Sequence, residues 1–475
     1  MKKIAIIGAG PAGLTAAYYL LKEDPSFKVK IYEKEACVGG LSKTIQFQGN
    51  RVDIGGHRFF SKNKEINRIW KQVLSYSKSG FLTRNRISHI FYEGNLIKYP
   101  ISFSVNTFKS IGWKKDVGVV WSYLKSIFYK RKINSLEDFY VNQFGKTLYE
   151  LFFYDYTKKL WGVPADKLSA DWGKQRIRNI SLIAVLMKAL RIERKDEDKS
   201  FIKKFFYPAY GAGQMWDSMA AQVVDMGAEI LYNKKIVGIE KNTEDRYVLR
   251  MDTGDIDEAT IVLSSMPLRE LLSGFSGITR QVREIGRMLS YRDMIIVAIE
   301  FEKKYTGAEW EKMRTDSWIY VQQESIQFGR IQFLNNWSPY ACANSDYILL
   351  EVEFYCSEDD EMWNLRDEFL KKQTIQGLCD MQVVKQNIVV SNYIVKRVEK
   401  AYPIYNGGYN EIIKVQNWVN QQHNLYCVGR NGQHHYNNMD HSMLTGIEAA
   451  KCILDETRRK ERIWKINIED VYQEE

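Results

Sequence analysis

The sequence predicts an α/β fold: one Rossmann-like, discontinuous unit that carries a helical insertion and an antiparallel-sheet unit. Three observations predict it. A short apolar strand, Lys3 to Ile7, runs directly into Gly8-Ala9-Gly10-Pro11-Ala12-Gly13 and then a helix from Leu14 to Leu21. A second strand, Lys28 to Tyr32, ends at Glu33, 20 residues beyond Gly13. Far along the chain, Asn424 to Val428 reads as another strand, followed by Gly429-Arg430 and a helix from about Met443 to Leu454.

The first element is G-x-G-x-x-G in the strand–turn–helix setting of a Rossmann-like dinucleotide site. Gly8 allows the tight turn, Gly10 lets the backbone approach a pyrophosphate, and Gly13 lets helix and strand pack. The helix start, with Pro11 and Ala12, aims free N–H groups and a partial positive charge at the phosphates. Glu33, with Lys34 beside it, is placed to accept hydrogen bonds from a ribose diol. Gly227 to Glu240 reads as a helix exit and a strand, and Ile261 to Ser265 as a further strand of the same unit.

These elements put the dinucleotide unit at 1–60, 205–275 and 420–456. Residues 61–204 are aromatic-rich with helical spacing and form the expected helical domain. Residues 276–419 alternate apolar and polar positions, as in Met294 to Glu300 and Tyr347 to Tyr355, and form the expected antiparallel substrate domain. The charge run Arg191 to Lys199 reads as a solvated loop, and 457–475 as a peripheral tail.

Composition narrows the function. The 475 residues carry 68 Lys plus Arg against 58 Asp plus Glu, a net charge of +10 that favours anionic partners such as nucleotides, nucleic acid or an acidic membrane surface. The aromatics do not form an RNA-binding signature, so nucleic acid is not expected. The six cysteines are scattered without a C-x-x-C pair, against a zinc ribbon or disulfide framework and in keeping with a reducing cytoplasm. No apolar run is long enough to span a bilayer. His434, His435 and His441 read as polar or core histidines, and no metal is expected.

Further glycine turns point past a plain nicotinamide dinucleotide. Glu35 to Ser42 contains Gly39-Gly40-Leu41-Ser42, and Val52-Asp53-Ile54-Gly55-Gly56-His57 adds a third turn. With Gly429-Arg430 and Met439-Asp440-His441-Ser442, this order resembles the amine oxidase and protoporphyrinogen oxidase-like flavoproteins. The resemblance implies an extended FAD across these turns, the Val237 backbone facing adenine, and a late helix N-terminus facing the flavin.

A closer resemblance is to the UDP-galactopyranose mutases. It rests on the histidine-bearing loop at His57, Arg86-Ile87-Ser88, Lys98-Tyr99-Pro100, Lys159-Leu160-Trp161-Gly162-Val163-Pro164, Trp318-Ile319-Tyr320, Asn336 to Tyr340, Tyr402-Pro403 and Tyr436. It implies that Arg176 and Arg330 grip a substrate diphosphate with Tyr402 and Tyr436. Trp318 and Tyr320 then face the uracil, Tyr99 and Trp161 border the substrate, and His57 and Arg430 lie at the flavin. The implied chemistry is attack on the sugar anomeric carbon by N5 of reduced FAD with UDP leaving, NAD(P)H serving only as reductant, in surface-polysaccharide precursor synthesis. Two guanidinium groups suit a pyrophosphate through bidentate charged bonds, and they stabilise the growing charge on a leaving UDP.

The chain departs from that pattern in three places. His435 stands where an arginine is usual. Tyr207 to Gly213 is a thinner glycine cluster, and Lys199 to Lys203 lacks the sugar-facing asparagine. Two other functions remain compatible: an FAD-dependent oxidase of the amine oxidase or protoporphyrinogen oxidase type, and a non-catalytic nucleotide-sugar-binding flavoprotein. A homo-oligomer is compatible with all three.

Overall fold

The computed structural model describes residues 2–75, 80–99, 113–176 and 204–467. Its first layer is a five-stranded parallel sheet: β1 (Lys3–Ile7), β2 (Lys28–Tyr32), β3 (Glu229–Leu231), β4 (Ile261–Ser264) and β5 (Leu425–Cys427), in the spatial order β5-β4-β1-β2-β3. Ile4 to Ile7 are buried from both sides, Ile4 and Ile6 against helices and Ala5 and Ile7 against a three-stranded sheet (236–241, 247–251, 256–259) with its helices, which explains a strand without polar alternation. Helix α1 (Pro11–Glu23) begins with proline in its first turn, where the missing N–H costs nothing. Helix α2 (Met439–Leu454) packs along α1, and a Cβ at Gly446 would lie 2.3 Å from the carbonyl oxygen of Ala12. The two helices therefore meet backbone to backbone beside the first glycine turn.

The second layer is a seven-stranded sheet ordered 390–403, 291–302, 347–356, 330–333, 318–321, 88–92, 95–98. Its pairs are antiparallel except Trp318–Val321 beside Ser88–Tyr92, which is parallel. Helical segments from Leu136 to Arg176 lie over this sheet. The Glu150–Tyr154 stretch is a π-helical turn, a local widening that re-aims the side chains it carries.

Three expectations change. Within 61–204, residues 81–85, 88–92 and 95–98 are strands. Ser88–Tyr92 takes its conformation from strand 318–321, more than 220 residues away, so local spacing could not show it. The Lys64–Ser75 helix packs Ile66, Ile69 and Trp70 into the core of the dinucleotide unit. In the expected peripheral tail, Ile463 and Trp464 are buried, Trp464 Nε1 donates to Asn420 Oδ1 at 2.9 Å, and Lys460 Nζ donates to the Leu425 carbonyl at 3.1 Å. The 191–199 charge run lies outside the described residues.

Candidate active site

One cavity of about 580 Å³ runs from the first glycine turn to the seven-stranded sheet. At its dinucleotide end, Gly8 has φ +99°, and a Cβ there would meet Ser265 Oγ at 2.2 Å. Gly10 and Gly40 face each other so closely that a Cβ on Gly40 would lie 3.4 Å from the Gly10 Cα. Side chains on these two residues would fill the cradle. Gly13 stands behind the turn, where its role is packing: a Cβ would lie 2.1 Å from the Gly8 carbonyl oxygen.

Glu33 reaches back into the turn. Its Oε2 accepts from Ala9 N–H at 2.8 Å and its Oε1 from Glu35 N–H at 3.0 Å. Burial raises its pKa despite these two donors. The carboxylate thus fixes the loop as well as lining the cavity. Lys43 pairs with Glu35 at the same rim.

The expected cofactor residues Gly8, Gly10, Pro11, Ala12, Glu33, Lys34, Gly40, Leu41, Ser42, Gly55, Gly56, His57, Gly429, Arg430, Met439, Asp440 and Ser442 all line this cavity. Val237 does not. It is 47% exposed, and Lys234, Lys235 and Ile236 form the wall instead. The reason is local: Val237 sits in a separate three-stranded sheet, in register with a bulge between Ile236 and Gly238.

His57 is placed by the third turn. Its Nε2–H donates to the carbonyls of Leu41 at 2.8 Å and Ile54 at 2.7 Å. Burial and the charges of Arg430 and Arg330 push its pKa down to about 4, so the ring is neutral at pH 7. It ties two glycine loops together and presents a fixed uncharged face. Asp53, four residues earlier, accepts from Thr44 Oγ1 at 2.6 Å, Tyr207 O–H at 2.8 Å and Ala212 N–H at 3.1 Å. Burial raises it to about 6.

At the far end the seven-stranded sheet supplies Arg330 from 330–333 and Glu351 and Glu353 from 347–356. Arg330 does not face the cavity as an unpaired cation. Its Nε donates to Glu353 Oε1 at 2.8 Å. Gln332 Nε2 donates to Glu351 Oε1 at 2.8 Å and Glu353 Oε1 at 2.9 Å, and Tyr355 O–H donates to Glu353 Oε2 at 3.1 Å. Both carboxyls are fully buried, and Glu351 Oε2 has no hydrogen-bond partner among the described residues. Burial, then Glu353 and Asp53, raises the Glu351 pKa well above normal. Among the described residues one cation therefore serves two carboxyls, and burial beside Glu353 biases Glu351 towards its protonated form.

Arg430 donates from Nε to the Asn437 carbonyl and from Nη1 to the Ala401 carbonyl, both at 2.9 Å. Its guanidinium lies 4.6 Å from the Tyr436 ring centre and 5.6 Å from that of Tyr402. Those two rings are nearly parallel, 6.0 Å apart. Trp318 and Tyr320 also line the cavity, but Trp318 is 4% exposed with Arg58 at 5.2 Å and Arg86 at 5.7 Å from its ring. The ring expected to stack on a base is instead covered by two guanidinium groups. Tyr320 packs edge-on against Tyr99 at 5.1 Å and Tyr156 at 5.9 Å. Trp161 is buried against Trp172 at 4.6 Å and Tyr402 at 6.2 Å. Arg176 ends the Asp171–Arg176 helix, and its side chain lies outside the described residues. His434 and His435 are buried and neutral, each pushed down to about 4 mainly by burial.

Sequence reasoning missed Arg58, Gln332, Tyr156, Tyr355 and the Glu351–Glu353 pair as parts of this site. Only the acids left a readable signal: two carboxyls at i and i+2, on one face of an otherwise apolar strand.

Fold, glycine cradle and cavity together define a flavoprotein of mixed α/β fold built on a five-stranded parallel dinucleotide sheet. The chain matches the flavin containing amine oxidoreductase family over residues 11–454 and belongs to it. Its cofactor is FAD, and it is a flavoenzyme. The chain resembles the crystal structure of reduced UDP-galactopyranose mutase with a TM-score of 0.83 and 21% identity, over 98% of this chain and 96% of that one. It is 24% identical over 210 residues to dTDP-fucopyranose mutase of Escherichia coli, covering 43% of this chain and 50% of that protein. It is 31% identical over 100 residues to coproporphyrinogen III oxidase of Staphylococcus aureus, 21% of each chain. The chain spans a fifth to a half of the length of these two curated relatives. Among the described residues no helix is long and apolar enough to cross a membrane.

Proposed function

We propose that the protein is an FAD-dependent nucleotide-sugar mutase, interconverting ring forms of a sugar on a nucleoside diphosphate. One observation carries this reading: a single cavity joins the dinucleotide turns to Arg330, Arg430, Tyr402 and Tyr436. The fold shared with a UDP-galactopyranose mutase and the similarity to a dTDP-fucopyranose mutase support it.

Reduced flavin would supply the nucleophile for the anomeric carbon. The protein's residues do the rest. Arg430 holds positive charge where the diphosphate accumulates negative charge as the glycosidic bond breaks, and Arg330, held by Glu353, offers its remaining N–H donors beside it. Tyr402 and Tyr436 offer neutral O–H donors beside them. Neutral His57 keeps the third turn in place without adding charge. Arg176 is assigned to the diphosphate by the resemblance of its segment to the mutases. The cationic pair Arg58 and Arg86 extends the anion-attracting wall. In this reading the enzyme supplies surface-polysaccharide precursors in the cytoplasm, with NAD(P)H as reductant.

The aromatic wall of Tyr140, Phe152, Phe153 and Tyr156 favours a second reading, an oxidase of a flat apolar substrate. Anaerobic dithionite-reduced enzyme should convert UDP-galactopyranose or dTDP-fucopyranose to its furanose isomer, seen by chromatography, with oxidised enzyme inactive. Absence of furanose product, together with peroxide formation from a porphyrinogen, would establish the oxidase instead.

A further inference from the structure

The cavity uses the inner face of the helical segments between Leu136 and Trp161: Tyr140, Phe152, Phe153 and Tyr156 line it. The outer face of the helix packed behind them has no part in that site. This helix, Trp113–Phe128, contacts the Leu136–Phe144 and Lys146–Tyr149 helices on one side. On the other, Trp121 is 73% exposed and Phe128 is 78% exposed, with Leu124 exposed between them. Positions 121, 124 and 128 fall on one helical stripe. Tyr129 is 75% exposed, and Ile133 is exposed just beyond it. Three exposed aromatic rings in nine residues are far from the scattered apolar residues of an ordinary surface.

Cations are interleaved with these rings. Lys125, Lys130, Arg131 and Lys132 are all exposed. Arg131 has Glu137 at 3.6 Å and Asp138 at 3.8 Å, so part of its charge is balanced within the fold. No acidic residue occurs between Lys125 and Lys132. The whole chain carries +10. We propose that this face, Trp121, Leu124, Phe128 and Tyr129 with Lys125, Lys130 and Lys132, docks the enzyme on an anionic lipid surface.

The chemistry selects that occupant. Aromatic rings with apolar bodies settle at the headgroup level of a bilayer, and lysine stems reach outward from there to anionic headgroups. An amphipathic helix with aromatic residues and lysines lies in the interface plane rather than across it. A second copy of this chain is a poorer fit, because a two-fold contact would press this lysine-bearing patch against its own equally cationic copy. Docking through this outer face leaves the inner, cavity-lining face unchanged.

The test uses FAD-loaded full-length protein and co-sedimentation with two vesicle preparations, phosphatidylcholine alone and phosphatidylcholine mixed with phosphatidylglycerol. The wild type should pellet with the anionic vesicles at about 0.1 M salt, far less at about 1 M where screening shortens to about 3 Å, and not with the neutral ones. Trp121→Ser with Phe128→Ser should lower partitioning at least about tenfold. Lys125→Gln with Lys130→Gln and Lys132→Gln should remove the preference for anionic lipid. Both variants should keep the flavin spectrum and turnover, since none of these residues lines the cavity. Wild type remaining in the supernatant with both vesicles, or variants pelleting as well as wild type, would overturn the proposal. So would a wild-type dimer on a sizing column that the aromatic variant makes monomeric without any vesicle binding, which would make the face a contact between copies.

Discussion

Glu351 and Glu353 sit two residues apart on one buried face, with Arg330 as the one cation among their partners in the described residues. Removing a charge that has its partner and removing a proton-bearing acid should have opposite effects. Glu353→Gln strands Arg330 and should cost about 3–5 kcal/mol, read as a lower denaturation midpoint. Glu351→Gln keeps a neutral hydrogen-bonding group and should melt at or above the wild type at pH 7. Asp53 gives the matching pH prediction. Its pKa is raised from 3.8 to about 6, so between those values the folded state holds more protons than the unfolded chain. Its contribution to stability is therefore present below about pH 4 and lost as the pH rises to 6, by at most about 3 kcal/mol. Asp53→Asn should flatten the wild-type stability curve across that window, and a curve of unchanged slope would contradict the assignment. At this scale the sequence showed which residue types were present but not their pairing. Arg330 read as a substrate clamp, and its engagement with Glu353 depends on a cross-strand register that no local pattern encodes.

Among the elements, those built by local chemistry were legible. The strand β1, the glycine turn, helix α1 and the acid at Glu33 lie within about thirty residues, and turn geometry dictates their spacing. Helix α2 was legible as a late return, although it begins at Met439 rather than Met443. The strands at 81–98 were not legible, because they are short and are stabilised by partners at 204–208 and 318–321. Contact between α1 and α2 makes a prediction of its own. Gly446→Ala places a methyl 2.3 Å from the Ala12 carbonyl oxygen and must push the two helices apart at the pyrophosphate turn. It should cost about 1–3 kcal/mol and lower FAD occupancy, measured as the ratio of flavin to protein absorbance after gel filtration. Full flavin retention with an unchanged midpoint would show that the turn tolerates the shift.

Over the whole molecule, two sheets and a helical layer enclose one cavity whose halves come from distant parts of the chain. The α/β class and the flavin followed from the sequence because repeated glycine turns have few other uses. The substrate end did not follow so far. Its cations, Arg58, Arg86, Arg330 and Arg430, come from four separate segments, and its tyrosines from a fifth at Tyr402 and from the Arg430 segment at Tyr436. Trp318 is a wall packed under arginines, a role that composition alone cannot distinguish from base stacking. The central claim is that the flavin lies beside a cationic, tyrosine-walled slot for a nucleoside diphosphate. Its most direct test is a UDP titration of the FAD-loaded protein, followed by flavin absorbance and by calorimetry. The account predicts a saturable perturbation of the flavin spectrum that weakens about tenfold or more in Arg330→Lys, which keeps the charge but loses the planar fork. Calorimetric silence with an unmoved flavin spectrum at every UDP concentration would contradict it.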